Sequence, residues 1–321
     1  MPALAATKAK KVNTADQMTH GPERLSNFKR LIRDNWLGWA FLAPFVILFA
    51  IFVIAPVVIA IGLSFTDYNM LQAAHFVGLN NYKLLILDDE IFLTALSNTL
   101  VFAVITGPIG YLASFVAAWL INQLKFKRVF ALMFYAPSIT SSVAMSTVWL
   151  YFFSPDRYGL FNNLLINMGL ITSPILWTQD PDYILGVVMF VSIWMSMGNG
   201  FLVFLAGLQN VPREYYEAGA IDGVRTKWQE LWTLTLPMMK PQLLFGAINT
   251  IVSAFSVFDV AHSIAGTPSP NYAAHTIVAH LYDYAFIRFQ MGYASAVATV
   301  LFLITFFMGK IVRSALSSKD E

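Results

Sequence analysis

The chain has 321 residues, of which 57% are hydrophobic and 12% charged, against about 25% charged in a soluble globular domain. That composition excludes a pair of ordinary soluble domains. The absence of cysteine excludes disulfides and thiolate metal sites. The formal net charge of +2 says little by itself, and nucleic acid is not among the expected partners.

Taken in order, residues 1–37 read as a cytoplasmic arm. Its first part, to about Gly21, is polar and lacks the short apolar core and cleavage site of a signal peptide. Over 24–36, Leu25, Phe28, Ile32 and Trp36 fall on one helical face, with Arg24, Arg30 and Arg33 away from it. This is the pattern of an amphipathic helix lying in the membrane interface. Six stretches follow that are long enough to cross about 30 Å of hydrocarbon: 38–63, 94–121, 129–153, 183–208, 241–264 and 291–312. They make residues 38–313 a transmembrane domain and leave 314–321 as a short cytoplasmic tail. If six spans alternate, all lysines and arginines except Lys83, Arg157 and Arg288 lie on one side. The positive-inside rule then places both termini in the cytoplasm. The expected fold class is an all-α polytopic membrane protein with six transmembrane helices.

Between the fourth and fifth spans, the 211–237 loop reads VPREYYEAGAIDGVRTKWQELWTLTLP. Pro212 suits the first turn of a helix. Glu214 and Glu217 follow where the helix dipole favours carboxylates. Asp222-Gly223 predicts a stop, because glycine readily takes the left-handed conformation that closes a helix. A second helix is expected from about Lys227 to Leu236, with Pro237 at the entry to the next span. A short charged helix below a membrane bundle is a handle for another protein.

Glu217-Ala218-Gly219, Gly223, Leu234 and Leu236-Pro237 resemble the EAA loop of binding-protein-dependent ABC importer permeases. Two departures are visible: the second alanine is Gly219, and one extra residue lies between Gly223 and Pro237. The resemblance implies a coupling helix that docks in a cleft of an ATP-binding subunit, carried here by Glu214, Glu217, Ala218, Gly219, Asp222 and Gly223. Outer segments resemble the carbohydrate branch of the same family: FVGLNNY at 76–82, SPDRYGLFNN at 154–163 and MGYASAVATVLF at 291–302. The implied fold is that of a type I ABC importer permease in a bacterial plasma membrane. The implied partners are a second, related permease, two ATP-binding subunits, an extracellular solute-binding protein, a sugar or oligosaccharide and membrane lipid. No G-x-x-x-x-G-K-[ST] occurs, so this chain is expected to be no enzyme and to hold no cofactor, with ATP and magnesium on the partner subunits.

A sugar pathway needs hydrogen-bonding side chains on inward helix faces. In the fourth span Ser192, Ser196 and Asn199 recur at one-face spacing, and in the fifth Asn249, Thr250, Ser253 and Ser256 make a second stripe. Small polar residues also serve close helix packing. Asp259 is the one acidic residue inside the spans; it reads as a residue near the outer interface that bonds its neighbours. His275 and His280 are five apart, the wrong interval for two ligands on one helical face, and no metal is expected. Trp36, Trp39 and Tyr158 read as interface anchors. A secondary carrier would need inverted repeats and broken helices at the midplane; neither is read here, Gly198 and Gly200 being the place for a local break. A glycerol-phosphate permease would want arginine or lysine in the cavity, and the spans hold none but Lys310, at the cytoplasmic end of the last.

Overall fold

The computed structural model describes residues 36–317. The interfacial helix expected over 24–36 lies, apart from Trp36, outside them, as do residues 318–321. The chain parts into two compact units between Ile59 and Ala60.

The first long helix, α1, is Trp36–Leu63. It contains a π turn at Ala50–Ile54, where the Ala55 N–H donates to Ala50 O. Pro56 follows, which has no N–H and whose ring would press on a carbonyl one turn back. The wider turn just before it relieves that clash. Among the described residues, none of its apolar window is buried.

Helix α2, Glu90–Asn122, starts at Asp89, whose carboxylate accepts the Phe92 N–H at 2.8 Å. Its buried residues, Phe92, Ala95, Thr99, Phe102, Thr106 and Gly110 among them, form one stripe at helical spacing. The stripe packs along α5, Pro181–Asn210, which begins on an Asp180 cap. Ser114 Oγ bonds Met197 O across the pair at 3.1 Å. Helix α5 runs unbroken through Gly198 and Gly200, the place where a local break was open.

The breaks lie elsewhere. The third span was expected to be continuous over 129–153. It is two helices, α3 (Lys127–Ile139) and α4 (Ser142–Phe152), bent by 96°. Pro137 removes a backbone donor near the end of α3, and Thr140 is extended. The fifth span is likewise divided into α8 (Lys240–Phe255) and α9 (Asp259–Ala265), with Phe258 out of helical geometry. The two outer halves, α4 and α9, pack on each other. With the start of α5 they bury Trp149, Phe153, Ile184, Val188, Val191, Ala261 and Ile264 in one cluster.

Between α5 and α8 lie α6 (Arg213–Ile221) and a helical stretch, α7, over 227–238. Beyond α9 come α10 (Ile277–Ile287) and the last span, α11 (Met291–Ser317). A second apolar cluster of Phe115, Phe201, Phe204, Leu208, Leu231 and Met239 joins α2 and α5 to the 211–237 loop.

The outer segments singled out in the sequence are joints. In FVGLNNY, Asn81 is buried and its Nδ2 donates to Ser64 O and Thr66 O, while Tyr82 Oη donates to Ser64 Oγ at 2.7 Å. In SPDRYGLFNN, Asn162 is fully buried. Its Nδ2 donates to the carbonyls of Ser154, Asp156 and Ile175, and its Oδ1 accepts from Ile175 N and Trp177 Nε1. In MGYA, the Gly292 N–H donates to Tyr68 O at 2.8 Å. A Cβ there would meet the Thr66 carbonyl oxygen at 2.0 Å, so glycine is what lets the first outer loop sit on the start of α11.

Candidate functional site

The α2–α5 pair, the α3–α4 break and α8–α9 enclose a cavity of about 670 Å³, within the range of small-molecule sites. Ser192, Ser196 and Asn199 reach its wall from α5, and Asn249, Thr250 and Ser253 from α8. Both stripes read from the sequence therefore face one space; Ser256 is not on that wall. Ser196 Oγ bonds Ile193 O and Thr250 Oγ1 bonds Gly246 O, each within its own helix, as serine and threonine do in membranes. Ser192 Oγ is buried and has no hydrogen-bond partner within the described residues.

Other wall residues escaped the sequence reading. Ser138, Thr140 and Ser142 come from the α3–α4 break, and Thr106 and Ser114 from α2. The first three carry no signal because a chain bend, not a periodic stripe, delivers them; Thr106 and Ser114 stand at helical spacing with Gly110 on α2. Asp259, expected near the outer interface, is on the wall too, and its Oδ2 accepts from Ser142 Oγ at 3.1 Å. The expectation that it bonds a neighbour holds; its place is the cavity, because the fifth span breaks just before it.

At the end of the bundle that carries the 211–237 loop, α6 starts after Pro212, which sits at the cap position (φ −62°, ψ 138°) and not within the first turn. The Glu214 and Glu217 positions follow on α6, and Arg213 Nε pairs with Glu217 at 3.0 Å on its exposed surface. Gly219 is buried, and a Cβ there would come within 2.6 Å of Leu234 Cδ1. Glycine in place of the second alanine thus lets α7 close against α6. Asp222 ends the helix and Gly223 turns the chain at φ +96°. Thr226 then caps α7 in a reciprocal box with Gln229. Within α7 a π turn occupies Leu231–Thr235, just ahead of Pro237. A π turn holds one residue more than an α turn, which matches the one extra residue noted between Gly223 and Pro237. A smaller cleft of about 440 Å³, lined by Trp119, Arg213, Tyr216, Lys227 and Glu230, separates this arm from the end of α2.

At the opposite end, His275 and His280 are both buried, rings 5.7 Å apart. His280 Nε2 is 3.1 Å from Asp89 Oδ2, but off the hydrogen-bonding direction. Asp89 is instead bonded by Tyr293 Oη at 2.6 Å and Tyr284 Oη at 3.3 Å. Burial pushes His275 down from the ordinary 6.5 to about 4, with His280 adding to the effect and Asp283 and Asp89 opposing it. Burial lowers His280 as well, against the pull of Asp89. For Asp89, burial works to raise the carboxyl, but bonds from Tyr293 and the Phe92 N–H, with His280 and Tyr284, hold it below its usual range. The unfolded chain therefore takes up protons near pH 6.5 that the folded chain refuses until about pH 4. Stability is complete above the unfolded histidine value and falls as the pH drops from there. We expect the unfolding temperature of the detergent-purified protein to fall over that interval, and His275→Gln to reduce the fall. A flat profile would contradict the assignment.

Residues 108–318 match the family described as binding-protein-dependent transport system inner membrane component. The chain is similar to the probable ABC transporter permease protein YesP of Bacillus subtilis, 35% identical over 289 residues covering 89% of this chain and 92% of that one. It is 33% identical to the lactose transport system permease protein LacF of Rhizobium radiobacter, over 87% and 92% of the two chains. It is 28% identical to the sn-glycerol-3-phosphate transport system permease protein UgpA of Agrobacterium fabrum, over 84% and 90%. Among solved structures it shares the fold of a chain from a bacterial ABC transporter involved in the import of the acidic polysaccharide alginate. The TM-score is 0.77 at 22% identity, over 92% of this chain and 100% of that one.

Proposed function

This chain belongs to the family of binding-protein-dependent transport system inner membrane components, multi-pass membrane proteins with the type I importer permease fold, and on that premise we propose that it is the transmembrane subunit of an ATP-driven importer of sugars or oligosaccharides. Its partners are a second permease, two ATP-binding subunits that hold ATP and magnesium, and an extracellular binding protein that delivers the cargo. The observation that carries the reading is the convergence of both polar stripes, from α5 and α8, on one cavity between packed membrane helices.

The cavity supports the chemistry a saccharide needs. Hydroxyls and amides from Ser192, Ser196, Asn199, Asn249, Thr250 and Ser253 exchange hydrogen bonds with sugar hydroxyls. At the other end, α6 transmits the movement of the ATP-binding subunits. Glu214, Glu217, Ala218, Gly219, Asp222 and Gly223 seat and aim it, and its pairing with α7 through Gly219 and Leu234 makes it move as one body. Rocking of the packed spans then alternates access to the cavity.

Asn199→Ala and Asn249→Ala test the reading in the assembled importer. Each removes one hydrogen-bonding group worth about 0.5–1.5 kcal/mol net, so the transport KM is expected to rise by about 2–12-fold with the maximal rate largely kept. Uptake of labelled saccharide by proteoliposomes measures it. An unchanged KM in the double variant would move the sugar pathway off this cavity.

A further inference from the structure

The relatives named above include permeases named for an uncharged sugar and for a phosphate ester, so the family leaves the charge of the cargo open. The cavity wall does not. Among the described residues it includes no lysine, arginine or histidine, and one carboxylate, Asp259. That carboxylate has a specific seat. Helix α4, of 11 residues, begins at the cavity with Thr140 and Ser142 on the wall, and its N-cap residue, Ser141, makes no side-chain capping bond. A helix N-terminus carries roughly half a positive charge and favours an anion. Asp259 Oδ2 is already there, held at 3.1 Å by the hydroxyl of Ser142, the first residue of α4.

We infer that Asp259 sets the charge class of the cargo: it is a resident anion at the α4 N-terminus, so the cavity takes uncharged saccharides and turns away those bearing uronate groups. A sugar hydroxyl can donate to the carboxylate. An acidic sugar brings a second negative charge to a site that offers it no cation, and like charges repel. Asp259→Asn keeps the shape and the bond to Ser142 while removing the charge. The α4 N-terminus then has no anion, and acidic saccharides become acceptable. The inference rests on the reading of the cavity as the sugar pathway.

The chain has no cysteine, so one introduced at Ser253 on the cavity wall reports the local field directly. In the assembled importer in nanodiscs, Ser253→Cys is treated with methanethiosulfonate reagents carrying a sulfonate or a trimethylammonium group, and labelling of this chain is followed by mass spectrometry. Relative to a free thiol, the cation is expected to react about tenfold faster than the anion, and Asp259→Asn should abolish that preference. Equal rates, or a preference that survives Asp259→Asn, would overturn the inference. In a second arm, trigalacturonate and its neutral methyl ester are compared as protectants of the cysteine. Protection by the ester in both backgrounds, and by the acid in the Asp259→Asn background alone, is the expected result. Protection by the acid with Asp259 intact would refute the charge rule. Failure of the ester to protect at all would refute the sugar reading beneath it, whatever the reagent rates.

Discussion

Gly223→Pro is expected to abolish uptake while leaving the protein in the membrane at near-normal abundance. Gly223 sits at φ +96°, a conformation that the proline ring, locked near −65°, cannot reach. The preceding residue, Asp222, is in a near-helical conformation (φ −74°, ψ 0°), which a following proline disfavours. The substitution therefore breaks the corner at two successive residues and re-aims α6 against α7. Nothing apolar is lost, since a side chain at this position meets open space. The spans stay packed and the damage is confined to the angle of the arm. Gly223→Ala is a graded version, with left-handed strain of about 1–2 kcal/mol. Glu217→Lys acts on the same arm differently: it breaks the pair with Arg213 and reverses the charge offered to the ATP-binding subunit. Labelled-sugar uptake set against immunoblotted abundance measures all three. Normal uptake by Gly223→Pro would remove α6 from the coupling path.

Asn162→Ala is expected to be the most damaging single change to the fold. Asn162 is wholly buried and closes the 154–177 segment through five hydrogen bonds, three donated and two accepted. Alanine leaves Trp177 Nε1 and the Ile175 N–H without their acceptor and takes a donor from three carbonyls, of which that of Asp156 keeps the Gly159 N–H. At about 1–3 kcal/mol for each buried group left unpaired, the loss reaches about 4 kcal/mol or more, the tail of what single substitutions do. Asn162→Asp should be no better, because a carboxylate would face those three carbonyls. A large drop in unfolding temperature in detergent, or failure to accumulate in the membrane, is the expected readout. A near-native unfolding temperature for the alanine variant would show that the bonds contribute little.

Much of this was legible in the chain because membranes make simple demands. Apolar length marks where spans lie, and Lys and Arg placement marks which loops share a side. The Ser192-Ser196-Asn199 stripe could be read because α5 is an unbroken helix, in which spacing alone decides what shares a face. The same logic failed where the helix stops. Pro137 lies near the end of α3, yet proline is common in membrane helices and its presence alone does not forecast a 96° bend. The α8–α9 break has neither glycine nor proline at 256–258, so it is set by the packing of α9 on α4 and left no local mark. For that reason Asp259 reads from the sequence as a residue near the outer interface, and Ser142, far from it in the chain, carries no signal at all. Asn81, Asn162 and Gly292 were noticed as parts of motifs, but their work, bonding and fitting distant backbone, is tertiary and has no one-dimensional signature.

The wide turn at Leu231–Thr235 has a further bearing on how such an arm tolerates change. A residue added to a regular helix rotates everything beyond it by about 100°. Here the surplus is held in a local swelling, so Leu234 still meets Gly219 and Pro237 still opens the following span. The slack is stored between the handle and the bundle, where a length change would otherwise have twisted one against the other.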